Sequence, residues 1–464
     1  MGRVSSRIVV TARRYRRRRH SILIGLVALV VLACELPASA APPTPSAGRA
    51  LFGGPLNLQA REGQLGRSLD VVRIYTKWGP NGPTLNLAAL RPLVTAGTRT
   101  LIISTSLPWA EWRTQAKARN SDANPDNNVP VPWCAAPAMR PGTTTPSGKS
   151  WFGAVADGDY DMQFATWLGQ VNDQLGATVD QIYVTLHHEP DRLSDDQSAV
   201  DYQGCAGTPA EYRAAQARVF DLANGLGGRP VRWAGAGQGG KLRFVVIFTT
   251  WGFWHTAGGT GRTIRSLVDL ATGLPPAGAS GDDATLASAR ISPWAPAAGK
   301  YDYLAMDVFN YSGAVAGSTG PNGVRVDDPA TATRESDQWR SLPNLMAAVK
   351  LWTTNFTTDI GSARPKRVFV TEFGSVPDPL RPNRKAQWLA EACRWFTDPA
   401  NGMFEAALYF DVNQMRLVSW RWTKRNGAWY STTPVGDDQL SISTLGTMSR
   451  SARFLSGGGA CPTI

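Results

Sequence analysis

The chain has 464 residues, of which 43% are hydrophobic and 18% charged, so it can build a large core and carries too little charge for a disordered protein. The formal net charge is +12, but eight arginines and one glutamate in the first 40 residues supply +7 of it. A nucleic-acid-binding domain would spread its basic residues over the folded surface, so this distribution argues against that class. Tryptophan is unusually common, with 17 residues against 15 phenylalanines, which indicates flat stacking surfaces for sugar rings.

Residues 1–40 are typical of an export signal. Six arginines between Arg13 and Arg19 precede the apolar segment Ile22 to Ala33, and Ala38-Ser39-Ala40 offers small residues for cleavage. The apolar segment would rise about 18 Å as a helix, less than the roughly 30 Å of the hydrocarbon core, so we expect no stable membrane span. We therefore expect a secreted protein. The residues before Cys34 loosely resemble a lipobox, which leaves a lipid anchor at Cys34 as an alternative.

Four cysteines follow residue 40, and an even number suits an exported protein with disulfides. Three pairings are possible. We favour Cys134 with Cys205 and Cys393 with Cys461, because each pair then lies in one half of the chain. No Cys-x-x-Cys pair occurs, so the sequence predicts neither a metal site nor a cofactor.

The sequence predicts a proline-rich linker over residues 41–48, one domain over 49–456 and a C-terminal tail over 457–464. In the domain, short apolar segments typical of strands alternate with segments whose apolar residues recur at helical spacing. The predicted strands are Ala50 to Pro55, Leu69 to Trp78, Thr98 to Leu107, Gln181 to Glu189, Arg243 to Trp251, Tyr301 to Tyr311, Arg367 to Phe373 and Phe404 to Val412. The main predicted helices are Leu85 to Ala96, Tyr160 to Leu175, Pro209 to Leu226, Ser341 to Phe356 and Lys385 to Trp395. Eight such alternations indicate a (β/α)8 TIM barrel, an α/β fold with a single domain.

A doubly wound open sheet shows the same alternation, but it usually carries a glycine-rich phosphate loop after its first strand, and none occurs there. The segment Gly235 to Lys241 resembles a P-loop superficially. Leu242 stands where Ser or Thr would hold magnesium, and a strand follows instead of a helix. We interpret this segment as a glycine turn before the fifth strand.

Two glutamates stand at the ends of predicted strands, where barrel enzymes place catalytic residues. Glu189 ends the fourth strand and Glu372 the seventh, and we expect Pro190 and Gly374 to end these strands sharply. A lone glutamate after an apolar strand is most often a capping charge or an ion-pair partner. Two of them at one end of a barrel suit glycosidic bond cleavage, which needs an acid for the leaving oxygen and a nucleophile or base below the ring.

The sequence resembles clan A glycoside hydrolases, in which the acid follows strand four and the nucleophile strand seven. The pair His188-Glu189 resembles glycoside hydrolase family 26, the mannanase family, because most other clan members have asparagine before the acid. The similar segments, in the order of the family, are Leu69 to Trp78, His187 to Asp191, Thr371 to Gly374 and Tyr409 to Asp411. The resemblance implies that Glu189 is the acid/base and Glu372 the nucleophile of a retaining mechanism, with carboxyl groups about 5 to 5.5 Å apart.

One position departs from the family. Phe309 stands at the end of strand six, where relatives usually have a tyrosine that hydrogen-bonds the nucleophile. Either Asn310 or Tyr311 takes that role, or the pKa of the nucleophile is set in another way. One of His187 and His188 must face away from the barrel lumen, since side chains alternate along a strand, and the resemblance favours His188 for the site.

Tryptophans near the strand ends are candidates for stacking on pyranose rings, and we expect about half of them to contact sugar and the rest to pack in the core. They are Trp78, Trp109, Trp251, Trp254, Trp420 and Trp422.

The sequence thus predicts a secreted, monomeric, retaining endo-β-glycosidase that hydrolyses a β-linked polysaccharide or oligosaccharide, with β-1,4-mannan favoured through the family resemblance. Two alternatives stay open. One is a non-catalytic carbohydrate-binding protein on a barrel scaffold, motivated by Phe309. The other is a transglycosylase, which would use both carboxylates and a sugar acceptor.

Overall fold

A closed ring of eight parallel strands forms the centre of the protein. The computed structural model describes residues 49–79, 82–84, 90, 100–105, 148–175, 178–191, 207–225, 242–249, 292–297, 299–310, 325–326, 341–359, 367–378, 381–412, 415–425 and 428–464. Within them the strands are β1 (Leu51–Pro55), β2 (Val71–Gly79), β3 (Gly82–Thr84), β4 (Thr100–Thr105), β5 (Gln181–Thr185), β6 (Leu242–Thr249), β7 (Tyr303–Asn310), β8 (Arg325–Val326), β9 (Val368–Ser375), β10 (Phe404–Tyr409), β11 (Val418–Arg425) and β12 (Ala428–Asp437). The barrel order is β1-β10-β9-β7-β6-β5-β4-β2, and a β1–β2 pairing closes the ring.

The ring closes where a glycine allows close approach. Gly53 of β1 is paired in register with Val71 of β2. A Cβ atom at position 53 would lie 1.9 Å from the backbone oxygen of Val71, so a larger residue would force the two strands apart.

Two apolar clusters lie on the two sides of the barrel wall. The inner cluster takes side chains from seven of the eight barrel strands and consists of Val71, Ile102, Tyr183, Val245, Ile247, Tyr303, Ala305, Phe369, Ala406 and Leu408. Leu51 of the eighth strand, β1, packs against it. The outer cluster joins the alternate strand residues to the helices. Strands with apolar residues on both faces are expected where helices cover a parallel sheet.

The described helices are α1 (Leu56–Gln59), α2 (Glu62–Leu65), α3 (Trp151–Ala156), α4 (Asp161–Leu175), α5 (Pro209–Ala223), α6 (Leu342–Asp359), α7 (Arg384–Thr397) and α8 (Gln439–Ser449). Local sequence explains their starts. Thr208 and Glu211 form a reciprocal capping box at α5, and the Asp438 side chain accepts from the backbone nitrogen of Ser441 at α8.

Two additions extend the barrel. β11 and β12 form an antiparallel hairpin after the last barrel strand, and β8 pairs with β12. The C-terminal segment returns to α7, where Cys393 and Cys461 form a disulfide with a Cα–Cα distance of 5.7 Å. This is one of the two pairings favoured from the sequence. The other, Cys134 with Cys205, lies outside the described residues.

The predicted (β/α)8 barrel is confirmed by the strand order. The predicted ends of the two strands that carry the candidate glutamates are wrong. β5 stops at Thr185, four residues before Glu189, and β9 runs through Gly374 to Ser375. Gly374 stays in the strand because β9 keeps its pairing with β7 there, Phe309 opposite Gly374 and Asn310 opposite Ser375.

Several predictions fall outside the described residues: the export signal and linker at residues 1–48, the glycine turn at 235–241 and nearly all of the helix expected at 85–96. No helix within the part of the chain that the structure covers is long and apolar enough to cross a bilayer.

Candidate active site

A buried arginine organises the carboxyl ends of the barrel strands. Arg73 lies on β2, two residues beyond Val71 of the inner cluster, so its side chain points into the barrel. Its Nη1 atom lies 3.0 Å from Oδ1 of Asp307 on β7 and 2.8 Å from Oε1 of Glu372 on β9. Its Nε atom donates to Oγ of Ser104 at 3.1 Å. One guanidinium therefore bridges three barrel strands and touches two carboxylates.

A bulge in β9 brings Glu372 into the barrel. The β7–β9 register pairs Met306 with Val370 and then Asp307 with Glu372, so Thr371 is the extra residue. Thr371 donates from Oγ1 to Oδ1 of Asp307 at 2.7 Å, while its neighbour Glu372 contacts Arg73. Two consecutive side chains thus reach the same interior, which a regular strand would not allow.

The three charged groups shift one another's protonation. Burial lowers the pKa of the Arg73 guanidinium, but the negative charges of Asp307, Glu372 and Glu189 together raise it above its ordinary value. Burial raises the pKa of Glu372 to about 7 against the opposing effect of Arg73. Burial also raises the pKa of Asp307 to about 7, with Arg73 opposing the rise and Glu189 adding to it. The site therefore holds carboxyl groups that exchange protons near neutrality.

Glu189 occupies a turn that leans onto the next strand. Its backbone nitrogen donates to the carbonyl of Ile247 on β6 at 2.8 Å, and its φ is 53°. Asp191 holds the same turn, because its carboxylate accepts from the backbone nitrogen of Thr249 at 3.2 Å. The Glu189 side chain is buried, and its charge acts on Arg73 and Asp307. This segment therefore places Glu189 near the arginine without belonging to β5.

The two adjacent histidines point to different neighbours. The His187 ring packs against Phe152 of α3, outside the barrel wall, at 5.7 Å between centroids. The His188 ring packs edge-on against Tyr75 of β2 at 5.6 Å, and its Nε2 atom lies 4.0 Å from Oε2 of Glu189. His188 is therefore the member of the pair beside the candidate acid.

Tyr75 is an exposed aromatic residue at this end of the barrel. The Arg73 guanidinium carbon lies 5.0 Å from the centre of its ring, and 42% of the residue is accessible to solvent. An aromatic side chain that rests on a buried cation and stays half in water suits contact with a sugar ring.

The end of β7 is arranged differently from the expectation based on relatives. The Asn310 amide donates to Oγ of Ser375 at 2.9 Å. The Phe309 ring packs on Phe410 at 5.3 Å, in an apolar cluster with Val376 and Met415. The contact of Glu372 that the structure describes is to Arg73, whose charge opposes the rise in pKa that burial causes. Tyr311 lies outside the described residues.

Few of the candidate tryptophans lie in the described part. Trp420 lies on β11, is half-buried, and its Nε1 donor has no hydrogen-bond partner among the described residues. Trp78 and Trp422 lie in β2 and β11, but their side chains are outside the described part, as are residues Trp109, Trp251 and Trp254 entirely. No cluster of His, Cys, Asp and Glu able to hold a metal is found among the described residues.

Sequence reasoning missed Arg73, Asp307 and Tyr75 as site residues. Arg73 had a usable signal, because a charge inside the apolar segment Val71 to Ile74 must find a buried partner. Asp307 had the same signal within Leu304 to Val308. What the sequence does not contain is the pairing of these two residues across the barrel.

No protein-family model and no curated protein sequence matches the chain. Solved structures similar to it include the catalytic domain of a GH26 endo-β-1,4-mannanase from a Bacillus species, with 12% identity and a TM-score of 0.41 over 87% of this chain and 86% of that one. An endo-β-1,4-mannanase double mutant from Cellulomonas fimi has 13% identity and a TM-score of 0.43, over 89% and 75%. A β-glucosidase from Pyrococcus furiosus has 12% identity and a TM-score of 0.40, over 83% and 82%. The (β/α)8 fold of this chain follows from its own strand order.

Proposed function

We propose that this protein is a retaining glycoside hydrolase that cuts β-linked polysaccharide, with Glu189 as acid/base and Glu372 as nucleophile. One observation carries the proposal. Two buried glutamates, Glu189 from the turn after the fourth barrel strand and Glu372 from the seventh, act on one buried cation, Arg73, beside an exposed aromatic ring. A pair of carboxyl groups, one to donate a proton and one to attack, is the requirement of this reaction.

The proposed steps use only side chains of this site. Glu372 attacks the anomeric carbon as a carboxylate, and the bond to the leaving sugar oxygen breaks while Glu189 gives that oxygen its proton. Glu189 then takes a proton from a water molecule as the oxygen of that water attacks the anomeric carbon. The ester bond to Glu372 breaks, and both glutamates return to their starting forms. Arg73 favours the ionised form of Glu372 and holds its orientation through the 2.8 Å contact.

For the substrate we propose β-1,4-mannan and endo action, on the sequence resemblance around His188-Glu189. Tyr75 offers a surface for one sugar ring, and Trp420 a second candidate surface on β11. We further propose that the protein is exported through its first 40 residues and acts as a monomer. The Cys393–Cys461 disulfide suits an oxidising compartment.

The first test is a panel of mannan, xylan, mixed-linkage glucan and cell-envelope polysaccharide, with analysis of product length. The panel is run on the parent protein, on Glu189→Ala and Glu372→Ala, and on Glu391→Ala as control, since Glu391 lies on α7 outside the barrel. We expect Glu189→Ala to lose roughly 10²–10⁴-fold in rate and the control to lose little. No cleavage by the parent, or unchanged cleavage by both site variants, would overturn the proposal.

Azide rescue assigns the two roles separately. With a substrate whose leaving group needs no proton, Glu189→Ala should form the glycosyl-enzyme, and azide should release a β-glycosyl azide. With Glu372→Ala, azide should attack from the side of the nucleophile and give an α-glycosyl azide. Reversed stereochemistry would exchange the roles, and an α product from the parent would mean an inverting enzyme.

The same panel separates the two alternatives. Saturable glycan binding by all variants without hydrolysis by the parent would identify a carbohydrate-binding protein, a reading that the apolar packing of Phe309 on Phe410 motivates. Products longer than the substrate would identify a transglycosylase.

A further inference from the structure

Asp307 is a buried carboxylate to which the proposed mechanism gives no step. The side chain has no accessible surface, and both of its oxygens lie within 3.2 Å of Nη1 of Arg73. Thr371 adds a hydrogen bond of 2.7 Å to Oδ1. The same Nη1 atom contacts Glu372 at 2.8 Å. Two carboxylates thus compete for one donor atom of one cation.

We propose that Asp307 is a positioning residue of the site, which fixes Arg73 beside Glu372 and shares the positive charge of Arg73 with that glutamate. The inference rests on the proposed hydrolase function and adds a control on its nucleophile. The contact of Asp307 with Arg73 determines how far the arginine can favour the ionised form of Glu372.

The surrounding charges fix the direction of the effect. Arg73 contacts Asp307 from β2, and Glu372, its register partner on β9, contacts the same Nη1 atom of Arg73. The charge of Glu189 acts on Asp307 from the turn after β5. On the β6 side, Thr249 is paired in register with Asp307. The backbone nitrogen of Thr249 donates to the Asp191 carboxylate. Without the negative charge of Asp307, Arg73 would act on Glu372 alone and the ionised form of Glu372 would persist to lower pH.

The test is the pH dependence of kcat/KM in Asp307→Asn, which keeps the shape and an acceptor oxygen and removes the charge. We expect the midpoint of the acid limb, near pH 7 in the parent, to move down by up to about one pH unit. Asp411→Asn is the matched control, because Asp411 is a buried carboxylate at another strand end whose ion-pair partner is Arg61. An acid limb that stays in place or moves up in Asp307→Asn would overturn the inference.

A second measurement keeps the test independent of turnover. Carbon-13 NMR of labelled glutamate carboxyls follows the titration of Glu372, with its signal assigned by loss in Glu372→Gln. A lower midpoint in Asp307→Asn supports the positioning role even if the parent hydrolyses no glycan, in which case only the proposed function fails. An unchanged midpoint overturns the positioning role even in an active enzyme.

Residue 307 is buried, so a second variant at another position tests the inference if Asp307→Asn does not fold. Thr371→Val keeps the branched shape and removes the hydroxyl donor to Asp307, which makes Asp307 harder to ionise and leaves more of the Arg73 charge for Glu372. We expect a smaller shift in the same direction. A shift to higher pH in Thr371→Val would contradict the proposed sharing of charge.

Discussion

The backbone nitrogen of Glu189 donates to the carbonyl oxygen of Ile247 at 2.8 Å. This hydrogen bond joins the turn after β5 to the neighbouring strand β6. This contact holds Glu189 at a φ of 53°, in the left-handed region that costs a residue with a Cβ atom roughly 1 kcal/mol. The candidate acid is therefore held by the backbone of β6 and not by the strand that precedes it.

We expect Glu189→Gly to be more stable than Glu189→Ala by about 1 kcal/mol in free energy of unfolding, because glycine adopts this conformation without strain. At most positions the order is the opposite. Urea unfolding of both variants measures the difference, and both should be equally impaired in hydrolysis. An alanine variant as stable as the glycine variant would show that the turn is not strained.

Replacing Arg73 by Met should lower the free energy of unfolding by roughly 3–5 kcal/mol at pH 8, because Asp307 and Glu372 would lose their buried cation. The loss should be smaller at pH 5, where both carboxyls can take up protons. The control is Arg367→Met, which breaks the more exposed pair with Glu405 and should cost below about 1 kcal/mol. Equal losses at the two pH values would contradict the assignment.

Stability should fall as pH rises through the range in which the buried carboxyls ionise. Asp307 and Glu372 have pKa values near 7 in the folded protein, above ordinary values of 3.8 and 4.5. Between these limits the folded state binds more protons than the unfolded one, so their contribution is full below about pH 4 and lost by about pH 7. Urea unfolding from pH 5 to 8 should show a shallower fall in Asp307→Asn, by at most roughly 1.4 kcal/mol per pH unit. An unchanged slope would argue against a proton on Asp307.

The fully buried Lys385 should stabilise the segment after β10. Its Nζ atom donates to the carbonyls of Met415 at 2.9 Å and Arg416 at 2.7 Å. Lys385→Met leaves both acceptors without this donor, and we expect a loss of about 1–3 kcal/mol in free energy of unfolding at pH 7. The control is Lys350→Met. The Nζ atom of Lys350 donates to the Ala400 carbonyl at 2.9 Å and to Oδ1 of Asn401 at 3.1 Å, and because Lys350 is only half-buried the loss should be less than about 1 kcal/mol.

The lowered pKa of Lys385 also determines in which direction its contribution to the free energy of unfolding changes with pH. Burial lowers the pKa of Lys385 to about 8, so between pH 8 and 10 the unfolded state binds more protons than the folded one. The difference in stability between the parent and Lys385→Met should therefore grow with pH in this range. A difference that shrinks would mean that Lys385 keeps its proton when folded.

The disulfide closes a long loop between α7 and the C-terminal segment, with a sequence separation of 68. Reduction should lower the free energy of unfolding by up to roughly 4 kcal/mol, because the unfolded chain regains the entropy of the open loop. Cys461→Ser measures the effect without reductant, and it should leave kcat/KM near the parent value below the melting transition. A variant as stable as the parent would show that the bond contributes nothing.

The barrel could be predicted because its strands and helices are each specified by local pattern. Val245 to Phe248 is apolar throughout, as expected of a strand covered on both faces, and α4 and α7 follow helical spacing. The β11–β12 hairpin was missed, since the segments around Trp420 and Trp429 mix polar and aromatic residues without an apolar run.

The site could be predicted only in part. The predicted strand ends make Glu189 and Glu372 candidates. A strand of regular alternation cannot turn both Thr371 and Glu372 inward, and no local sequence signal predicts the bulge. The contact of Arg73 with Asp307 joins residues 234 positions apart, so it arises only when β2 and β7 meet across the barrel.

Closure of the ring through β1 also constrains how this chain can be made. Leu51 is paired in register with Ala406, so the first barrel strand to be synthesised waits for the last barrel strand before its second edge is covered. A growing or truncated chain that lacks β10 carries two open, apolar strand edges at β1 and β9, the kind of surface that aggregates. Shortening the protein before residue 404 should therefore yield insoluble chains, and the barrel should refold slowly and only as a whole.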